Sequence, residues 1–308
     1  MKKVFITRRM PEIARTILKE HFEVSLNDKN ETLTQDELIR SLKDCDAVLS
    51  TVLDKFTKEV IDSLPKLKVI SSYASGLDNI DMEHAKTKGI YVYNIPDSVT
   101  NSTADLTMAS FLALARKLWP AREFVREGKW KAWDPEILLG EELTGKTFGI
   151  IGFGRIGMAV AKRALGFGMN VIYFNRSPVV SDCCKAVTLE ELLSESDYIS
   201  LHVPLTEQTR GMINAESIRK MSKRPILINF SRGQIIKTED LLNALKNGEI
   251  RGAVLDVTDP EPISADHLLC KMENCIITPH IGTATKECRR DMAMAAAEKI
   301  IKHFSENE

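Results

Sequence analysis

Three polar residues in the C-terminal half of the chain have the side-chain types that reduction of a 2-oxo acid requires. Arg232 follows the apolar run 226–230, and its planar guanidinium can bracket a carboxylate and a neighbouring carbonyl. Glu261 lies between two prolines, and His280 follows the apolar run 275–278. A carboxylate bonded to this imidazole would favour its protonated form, which can give a proton to the substrate oxygen. We predict that Arg232, Glu261 and His280 are catalytic, although Glu261 alone could be a solvated turn and Arg232 a surface ion pair.

A glycine-rich turn lies upstream of these residues. It follows the apolar run 148–152 and precedes a helical pattern over 156–165, which is the context of a dinucleotide-binding βαβ unit. Glycine lets the backbone approach a pyrophosphate, which is then held by N–H groups at the helix start. We predict that the cofactor contacts the turn and the first helical residues: Gly152, Gly154, Arg155, Ile156 and Gly157. His202, at another strand end, should border the cofactor. The alternative is an ordinary tight turn.

The next strand ends where many NAD-dependent enzymes carry an Asp or Glu that binds the ribose hydroxyls. This chain has Asn175, Arg176 and Ser177 there instead. Without a carboxylate, nothing repels a 2′-phosphate, with which Arg176 can pair while Asn175 and Ser177 add hydrogen bonds. We therefore predict a preference for NADP(H). The alternative is that Arg176 points into solvent and NAD(H) binds through its pyrophosphate.

Short apolar runs alternate with helical patterns along the whole chain. Strands are predicted over residues 4–7, 47–52, 67–73, 90–95, 148–152, 171–174, 198–203, 226–230, 253–256 and 275–278. Helices are predicted over 11–20, 34–42, 81–88, 156–165, 188–196, 215–221, 238–246 and 285–304. Continuous hydrophobicity within the strands indicates parallel sheets covered on both faces.

These patterns predict an α/β protein with two doubly wound parallel-sheet domains and a cleft between them. Residues 1–97 plus 284–308 should form a flavodoxin-like substrate-binding domain, and residues 98–283 a Rossmann-type dinucleotide-binding domain. Residues 98–127 read as one long helix that is apolar on nearly every side between 104 and 115, and so buried. Trp130 and Trp133 follow in a loop, a composition favoured at interfaces. We predict a homodimer built on this helix, unless both tryptophans pack on their own domain.

The overall composition argues against several classes of partner. Lys and Arg number 42 against 43 Asp and Glu, so the chain has no broad basic surface for nucleic acid or anionic lipid. The six cysteines show no metal-ligand spacing, which predicts reduced thiols and no metal site. No apolar stretch approaches the ~20 residues of a membrane span. We expect a cytoplasmic protein with a small-molecule substrate.

Several segments resemble the D-2-hydroxyacid dehydrogenase family, and the resemblance covers the whole chain. They are YASGLDNID (73–81), GFGRIG (152–157), HVPLT (202–206), NFSRG (229–233), LDVTDPEP (255–262) and PHIG (279–282). Within the family, KVFITRR (3–9) and GKWKAW (128–133) are similar to glyoxylate/hydroxypyruvate reductases, as is the arginine in place of the ribose acid.

The resemblance implies roles that the spacing alone does not give. It implies an NAD(P)-dependent reductase that forms glycolate or D-glycerate from glyoxylate or hydroxypyruvate, and a dimer. Ser75 and Gly76 would present N–H groups to the substrate carboxylate, and Asp256 would contact the nicotinamide amide. The same site would be lined by Phe230, Ser231 and Gly282.

Two other functions remain open at this point. A sugar-acid reductase of the 2-ketogluconate type would need a wider pocket, and the wall near Leu53 and Ile137 should decide its width. A non-catalytic, dinucleotide-sensing protein of the corepressor kind could keep the glycine turn without needing the proton relay. The presence of Arg232, Glu261 and His280 together favours an enzyme.

Overall fold

In the computed structural model, which describes residues 1–29 and 31–306, the chain forms two compact units. The first comprises Met1–Val99 and the segment from Thr283 onward, and the second comprises Thr100–Gly282. Both junctions lie within two residues of the predicted boundaries, after 97 and after 283. Strands and helices are numbered β1–β12 and α1–α11 along the chain.

The first unit contains a five-stranded parallel sheet in the order β2-β1-β3-β4-β5. Its strands are β1 (Lys3–Ile6), β2 (Glu23–Leu26), β3 (Ala47–Ser50), β4 (Val69–Ser72) and β5 (Tyr91–Tyr93). Its first helices are α1 (Glu12–Lys19), α2 (Gln35–Leu42), α3 (Lys58–Asp62) and α4 (Met82–Thr87). Every residue of β3 and β4 is buried, so these strands are covered on both faces as predicted. The strand order is that of flavodoxin-like folds, with a topological switch between β1 and β3.

The second unit contains a seven-stranded parallel sheet in the order β12-β11-β10-β9-β6-β7-β8. Its helices are α5 (Thr100–Ala115), α6 (Leu118–Arg126), α7 (Arg155–Gly166), α8 (Leu189–Glu195), α9 (Ala215–Arg219) and α10 (Thr238–Lys246). Its strands are β6 (Thr147–Ile151), β7 (Asn170–Phe174), β8 (Lys185–Ala186), β9 (Tyr198–Leu201), β10 (Ile226–Asn229), β11 (Gly252–Leu255) and β12 (Cys275–Ile277). The order reverses between β6 and β9, where ligands bind in sheets of this kind. The last helix of the chain, α11 (Lys286–Glu306), belongs to the first unit.

Hydrophobic clusters cover both faces of the seven-stranded sheet. Alternate residues of β10 divide between them, because Leu227 packs in one cluster and Ile228 in the other. On the second face, the ring of Phe111 in α5 lies 5.6 Å from that of Phe148 and 4.6 Å from that of Tyr198. The predicted α/β architecture with two doubly wound sheets is confirmed.

The prediction of one helix over 98–127 is wrong. Helix α5 ends at Ala115 and α6 begins at Leu118, because Lys117 adopts a left-handed conformation with φ 52° that interrupts the helical bonds. Helix α5 is largely buried, whereas α6 has no buried residue. Trp130 and Trp133 are 64% and 83% exposed in the single chain, so they do not pack on their own unit.

Among the described residues, no helix combines the length and apolar character that crossing a membrane requires. Within the same part of the chain, His, Cys, Asp and Glu side chains do not gather in groups of three or more that could hold a metal ion.

Candidate active site

The glycine turn joins the end of β6 to the start of α7. Gly152 has φ 97°, and a Cβ there would lie 2.6 Å from the carbonyl oxygen of His202. A Cβ on Gly157 would overlap the carbonyl oxygen of Gly152, so the helix packs directly on the strand end. A Cβ on Gly154 would meet nothing within 4 Å. The turn is therefore closed on the side of the sheet and open at Gly154.

This geometry fits the pyrophosphate of a dinucleotide. Gly152 and Gly157 let the strand end, the segment of His202 and the start of α7 pack backbone to backbone, and the space within 4 Å of a Cβ at Gly154 is open. Helix α7, of 12 residues, begins at Arg155. The first N–H groups of a helix lack intrahelical partners and carry partial positive charge, which suits an anion.

The segment after β7 holds the three residues predicted to select the cofactor. The Asn175 side chain accepts a hydrogen bond from the Phe153 N–H group (3.0 Å) and donates to the Ser177 carbonyl (2.8 Å). It thus ties this segment to the glycine turn. Arg176 and Ser177 are exposed, and Arg176 Nη1 lies 3.4 Å from Gln208 Oε1.

His202 follows β9 and borders the glycine turn through its backbone, which donates to the Ile151 carbonyl (2.8 Å). Its Nε2 lies 2.8 Å from the Ser200 hydroxyl. Burial lowers the pKa of His202 to about 3, so the imidazole is neutral at physiological pH. The buried Nδ1 has no hydrogen-bond partner among the residues that the structure describes.

Asn229, the last residue of β10, shapes the loop that carries Arg232. Its side chain is fully buried; Oδ1 accepts from the Ser231 N–H group (3.0 Å), and Nδ2 donates to the Arg232 carbonyl (2.8 Å). The Ser231 hydroxyl donates to the Leu201 carbonyl (2.8 Å), and Arg232 Nη1 donates to the Ser231 carbonyl (2.8 Å). Phe230 is buried. Sequence reasoning missed the role of Asn229, although an amide that ends an otherwise apolar strand is a usable signal.

The loops of Arg232 and Glu261 touch through their backbones. A Cβ on Gly233 would overlap the Thr258 carbonyl, so only glycine lets these two segments meet. The Thr258 N–H group donates to Glu261 Oε2 (3.4 Å). Backbone packing therefore fixes the distance between the loops that carry Arg232 and Glu261.

Glu261 and His280 form the shortest ion pair of the site. Glu261 Oε1 lies 2.6 Å from His280 Nδ1, and the two side chains are 35% and 37% exposed. Burial raises the pKa of the Glu261 carboxyl. The hydrogen bond and charge of His280 lower it, as do the Thr258 N–H group and the Arg232 guanidinium, and they leave this pKa below its ordinary value of 4.5. The ionised carboxylate accepts a hydrogen bond from the Nδ1–H group of His280. Nε2 is then the ring nitrogen available for proton transfer.

The backbone of His280 has φ 52°, a left-handed conformation that non-glycine residues rarely adopt. Asp256, which is 3% exposed, holds this turn. Its Oδ1 accepts from the Thr278 hydroxyl (2.6 Å) and the Ile281 N–H group (2.8 Å), and its Oδ2 from the Gly282 N–H group (2.7 Å). Burial raises the pKa of Asp256, against the lowering effect of these bonds. All three bonds bind Asp256 to the segment that carries His280.

The predicted substrate residues of the first unit follow the carboxyl ends of its strands. Leu53 comes after β3 and is 46% exposed. Ser75 and Gly76 come after β4 and are half-buried, and the Ser75 carbonyl accepts from Asn94 Nδ2 (2.7 Å).

Comparison with known proteins agrees on one family. Residues 108–282 match the family model described as D-isomer specific 2-hydroxyacid dehydrogenase, NAD binding domain. A glyoxylate reductase of Korarchaeum cryptofilum is 45% identical over 304 residues, which cover 97% of this chain and 92% of that protein. The solved glyoxylate reductase from Paecilomyes thermophila superposes with a TM-score of 0.90 at 29% identity, covering 100% of this chain and 96% of that one. The NADPH-dependent glyoxylate/hydroxypyruvate reductase from Sinorhizobium meliloti, solved with NADP and malonate, gives 0.86 at 27% identity and coverages of 99% and 94%.

Proposed function

Because this chain belongs to the D-isomer specific 2-hydroxyacid dehydrogenases and is thus an NAD(P)-dependent oxidoreductase, we propose that it reduces glyoxylate and hydroxypyruvate to glycolate and D-glycerate. The observation that carries the proposal is the 2.6 Å bond between Glu261 and His280 beside the Arg232 loop. The names of the relatives support substrates of this size.

The three catalytic residues have different tasks in the proposed reaction. Bound nicotinamide cofactor supplies the hydride that adds to the carbonyl carbon. His280, with Nδ1 bonded to ionised Glu261, donates its Nε2 proton to the carbonyl oxygen. Arg232 pairs with the substrate carboxylate and stabilises the negative charge that develops on that oxygen.

The remaining substrate contacts are assigned from the resemblance to the D-2-hydroxyacid dehydrogenase family. The N–H groups of Ser75 and Gly76 bind the substrate carboxylate, and Leu53 supplies part of the pocket wall. Their position after the carboxyl ends of parallel strands supports this assignment, because such ends hold the ligands of doubly wound sheets.

The glycine turn and its surroundings would hold the cofactor. The pyrophosphate would lie over Gly154 at the start of α7, and Phe230, Ser231, Asp256 and Gly282 would border the nicotinamide. Exposed Arg176 would pair with the 2′-phosphate of NADP(H), with Ser177 and Asn175 beside it. The absence of a carboxylate from residues 175–177 supports NADP(H) over NAD(H).

We further propose a homodimer. In the single chain, helix α6 and the segment after it expose large apolar side chains to water: Leu118, Trp119, Val125, Trp130 and Trp133. Exposed apolar surface of this kind marks an interface. Sedimentation that finds only the single chain at micromolar concentration would contradict the dimer.

The cofactor assignment is tested by kcat/KM for glyoxylate with NADPH and with NADH. Loss of charge-assisted bonds in Arg176→Ala should lower the NADPH value by about 10- to 100-fold and leave the NADH value nearly unchanged. Arg219→Ala, an exposed arginine at the end of α9, is the matched control and should change neither. An unchanged NADPH-to-NADH ratio in Arg176→Ala would refute the preference.

A panel of 2-oxo acids separates the proposed function from its alternatives. Highest kcat/KM with glyoxylate or hydroxypyruvate supports the proposal, and highest kcat/KM with 2-ketogluconate would identify a sugar-acid reductase. No NADPH or NADH oxidation with any acid, despite binding of the cofactor, would identify a dinucleotide-sensing protein.

A further inference from the structure

Asp54 is a buried carboxylate in the first unit, 3% exposed, that takes no part in the mechanism above. Its Oδ2 accepts three hydrogen bonds, from the Thr7 hydroxyl (2.6 Å), the Thr51 N–H group (2.7 Å) and the Thr51 hydroxyl (3.0 Å). All three donors are neutral groups. Burial of a carboxylate costs free energy unless strong hydrogen bonds compensate for the lost water. The Thr7 and Thr51 donors must therefore keep their positions around Asp54.

The Asp54 network joins three loops at the carboxyl edge of the five-stranded sheet. Thr7 follows β1, and Thr51 and Asp54 follow β3. Asn79, in the loop after β4, donates from Nδ2 to the Thr51 carbonyl (3.2 Å) and the Asp54 carbonyl (2.7 Å). The topological switch of this sheet lies between β1 and β3, and ligands of doubly wound sheets bind at such switches.

The network fixes the backbone on both sides of an exposed apolar residue. Leu53 lies between Thr51 and Asp54 and is 46% exposed. Its N–H group lies 3.4 Å from the Thr51 hydroxyl. Asn79 belongs to the same loop as Ser75 and Gly76, so the network also anchors that loop.

We propose that Asp54 is a positioning residue that fixes Leu53 as a rigid wall of the substrate site and thereby sets the size of the 2-oxo acid that is accepted. The inference rests on the proposed function, in which Leu53 contacts substrate. A rigid wall discriminates between substrates better than a mobile one. Binding of the small substrate then costs no conformational entropy of the wall, and the wall does not move aside for a larger substrate.

The test is Asp54→Asn, which keeps the size of the side chain but removes its charge and one acceptor oxygen. A neutral amide oxygen in the place of the charged Oδ2 would accept these bonds more weakly, which should raise KM for glyoxylate about tenfold, with kcat within about threefold of wild type. KM for NADPH should not change, because the cofactor residues lie in the second unit. The ratio of kcat/KM for glyoxylate to that for hydroxypyruvate should fall, since a loosened wall excludes the larger acid less well.

A matched pair tests the same network without altering the carboxylate. Thr7→Val removes one donor while keeping the shape, and Thr7→Ser keeps the donor. Valine should reproduce the rise in KM and the fall in selectivity, and serine should leave both near wild type. The two Thr7 variants test the positioning role of the network even if Asp54→Asn fails to fold.

Ser71→Ala controls for loss of stability alone. Ser71 in β4 is fully buried, and its hydroxyl donates to the Ala296 carbonyl of α11 (2.7 Å). We expect this variant to lower the melting temperature without changing KM or selectivity. The inference is overturned if Asp54→Asn and Thr7→Val keep the wild-type KM and selectivity, or if Ser71→Ala changes them equally. A wild-type protein inactive on every 2-oxo acid would instead overturn the proposed function, and this inference with it.

Discussion

Glu261→Gln isolates the contribution of the carboxylate to proton donation, because it removes the charge and keeps the shape. The bond that it weakens is 2.6 Å long and joins two side chains that are each about one-third exposed. A hydrogen bond to a charged group contributes about 1.5–3 kcal/mol, and solvent screening at this exposure reduces that to about 1–2 kcal/mol. The expected loss in kcat/KM for glyoxylate reduction is therefore about 5- to 30-fold.

The sign of the pH dependence follows from the lowered pKa of Glu261. The carboxylate stays ionised below its ordinary value of 4.5, so the support it gives His280 is present above that pH and is lost as pH falls through the lowered pKa. Without the anion, Glu261→Gln should lose the fall in activity that protonation of the Glu261 carboxylate causes at low pH.

The assay is the initial rate of NADPH oxidation across the pH range in which the protein stays folded. Glu249→Gln is the control and should leave the profile unchanged, because this exposed glutamate precedes the start of β11, whereas Glu261 follows the end of that strand. A Glu261→Gln variant with wild-type kcat/KM and the wild-type fall in activity at low pH would refute the role assigned to the ion pair.

Three further predictions concern the glycine turn and His202. Gly152→Ala places a methyl group 2.6 Å from the His202 carbonyl at φ 97°, and should lower the free energy of unfolding by about 2–4 kcal/mol in denaturant titrations. Gly154→Ala meets no protein atom within 4 Å, so it should leave that free energy unchanged yet weaken NADPH binding about tenfold or more in fluorescence titrations; unchanged affinity would contradict a pyrophosphate site at Gly154. The pKa of His202 is about 3 in the folded chain and about 6.5 in the unfolded chain, so between these values the unfolded chain binds one more proton. The free energy of unfolding should therefore decrease by about 1.4 kcal/mol as pH is lowered from ~7.5 to ~5.5. His202→Gln should flatten this slope, and an identical slope in the variant would show that other groups cause it.

Much of the fold could be predicted because most strands are short, continuous apolar runs. Strand β2 was missed because it lies at the sheet edge, where only alternate positions are half-buried and polar Glu23 and Ser25 occupy part of it. Helix α3 was missed because five residues give too little periodicity. The break between α5 and α6 was missed because Lys117, not glycine or asparagine, takes the left-handed conformation there.

The candidate site was predictable in its residue types but not in how they are held. Arg232 and His280 follow the ends of strands, and the hydrophobic pattern of the sequence predicts where those strands end. It cannot show that a buried polar side chain turns back onto the loop that follows it. Asn229 and Asp54 therefore escaped notice, and Asp256 was assigned only a cofactor contact although its carboxylate binds the turn of His280.

Asn229 and Asp256 together explain how loops can place reacting groups accurately. Each is a buried polar residue at the end of a strand, and each bonds to the loop that carries a proposed catalytic side chain, Arg232 for one and His280 for the other. The two strands are paired, with Asn229 opposite Leu255, and the Asp256 N–H group donates to the Asn229 carbonyl (3.0 Å). The separation of the loops that carry Arg232 and His280 is thus set by the register of β10 against β11. Loss of either anchor should therefore displace one catalytic group relative to the other, while the sheet beneath stays intact.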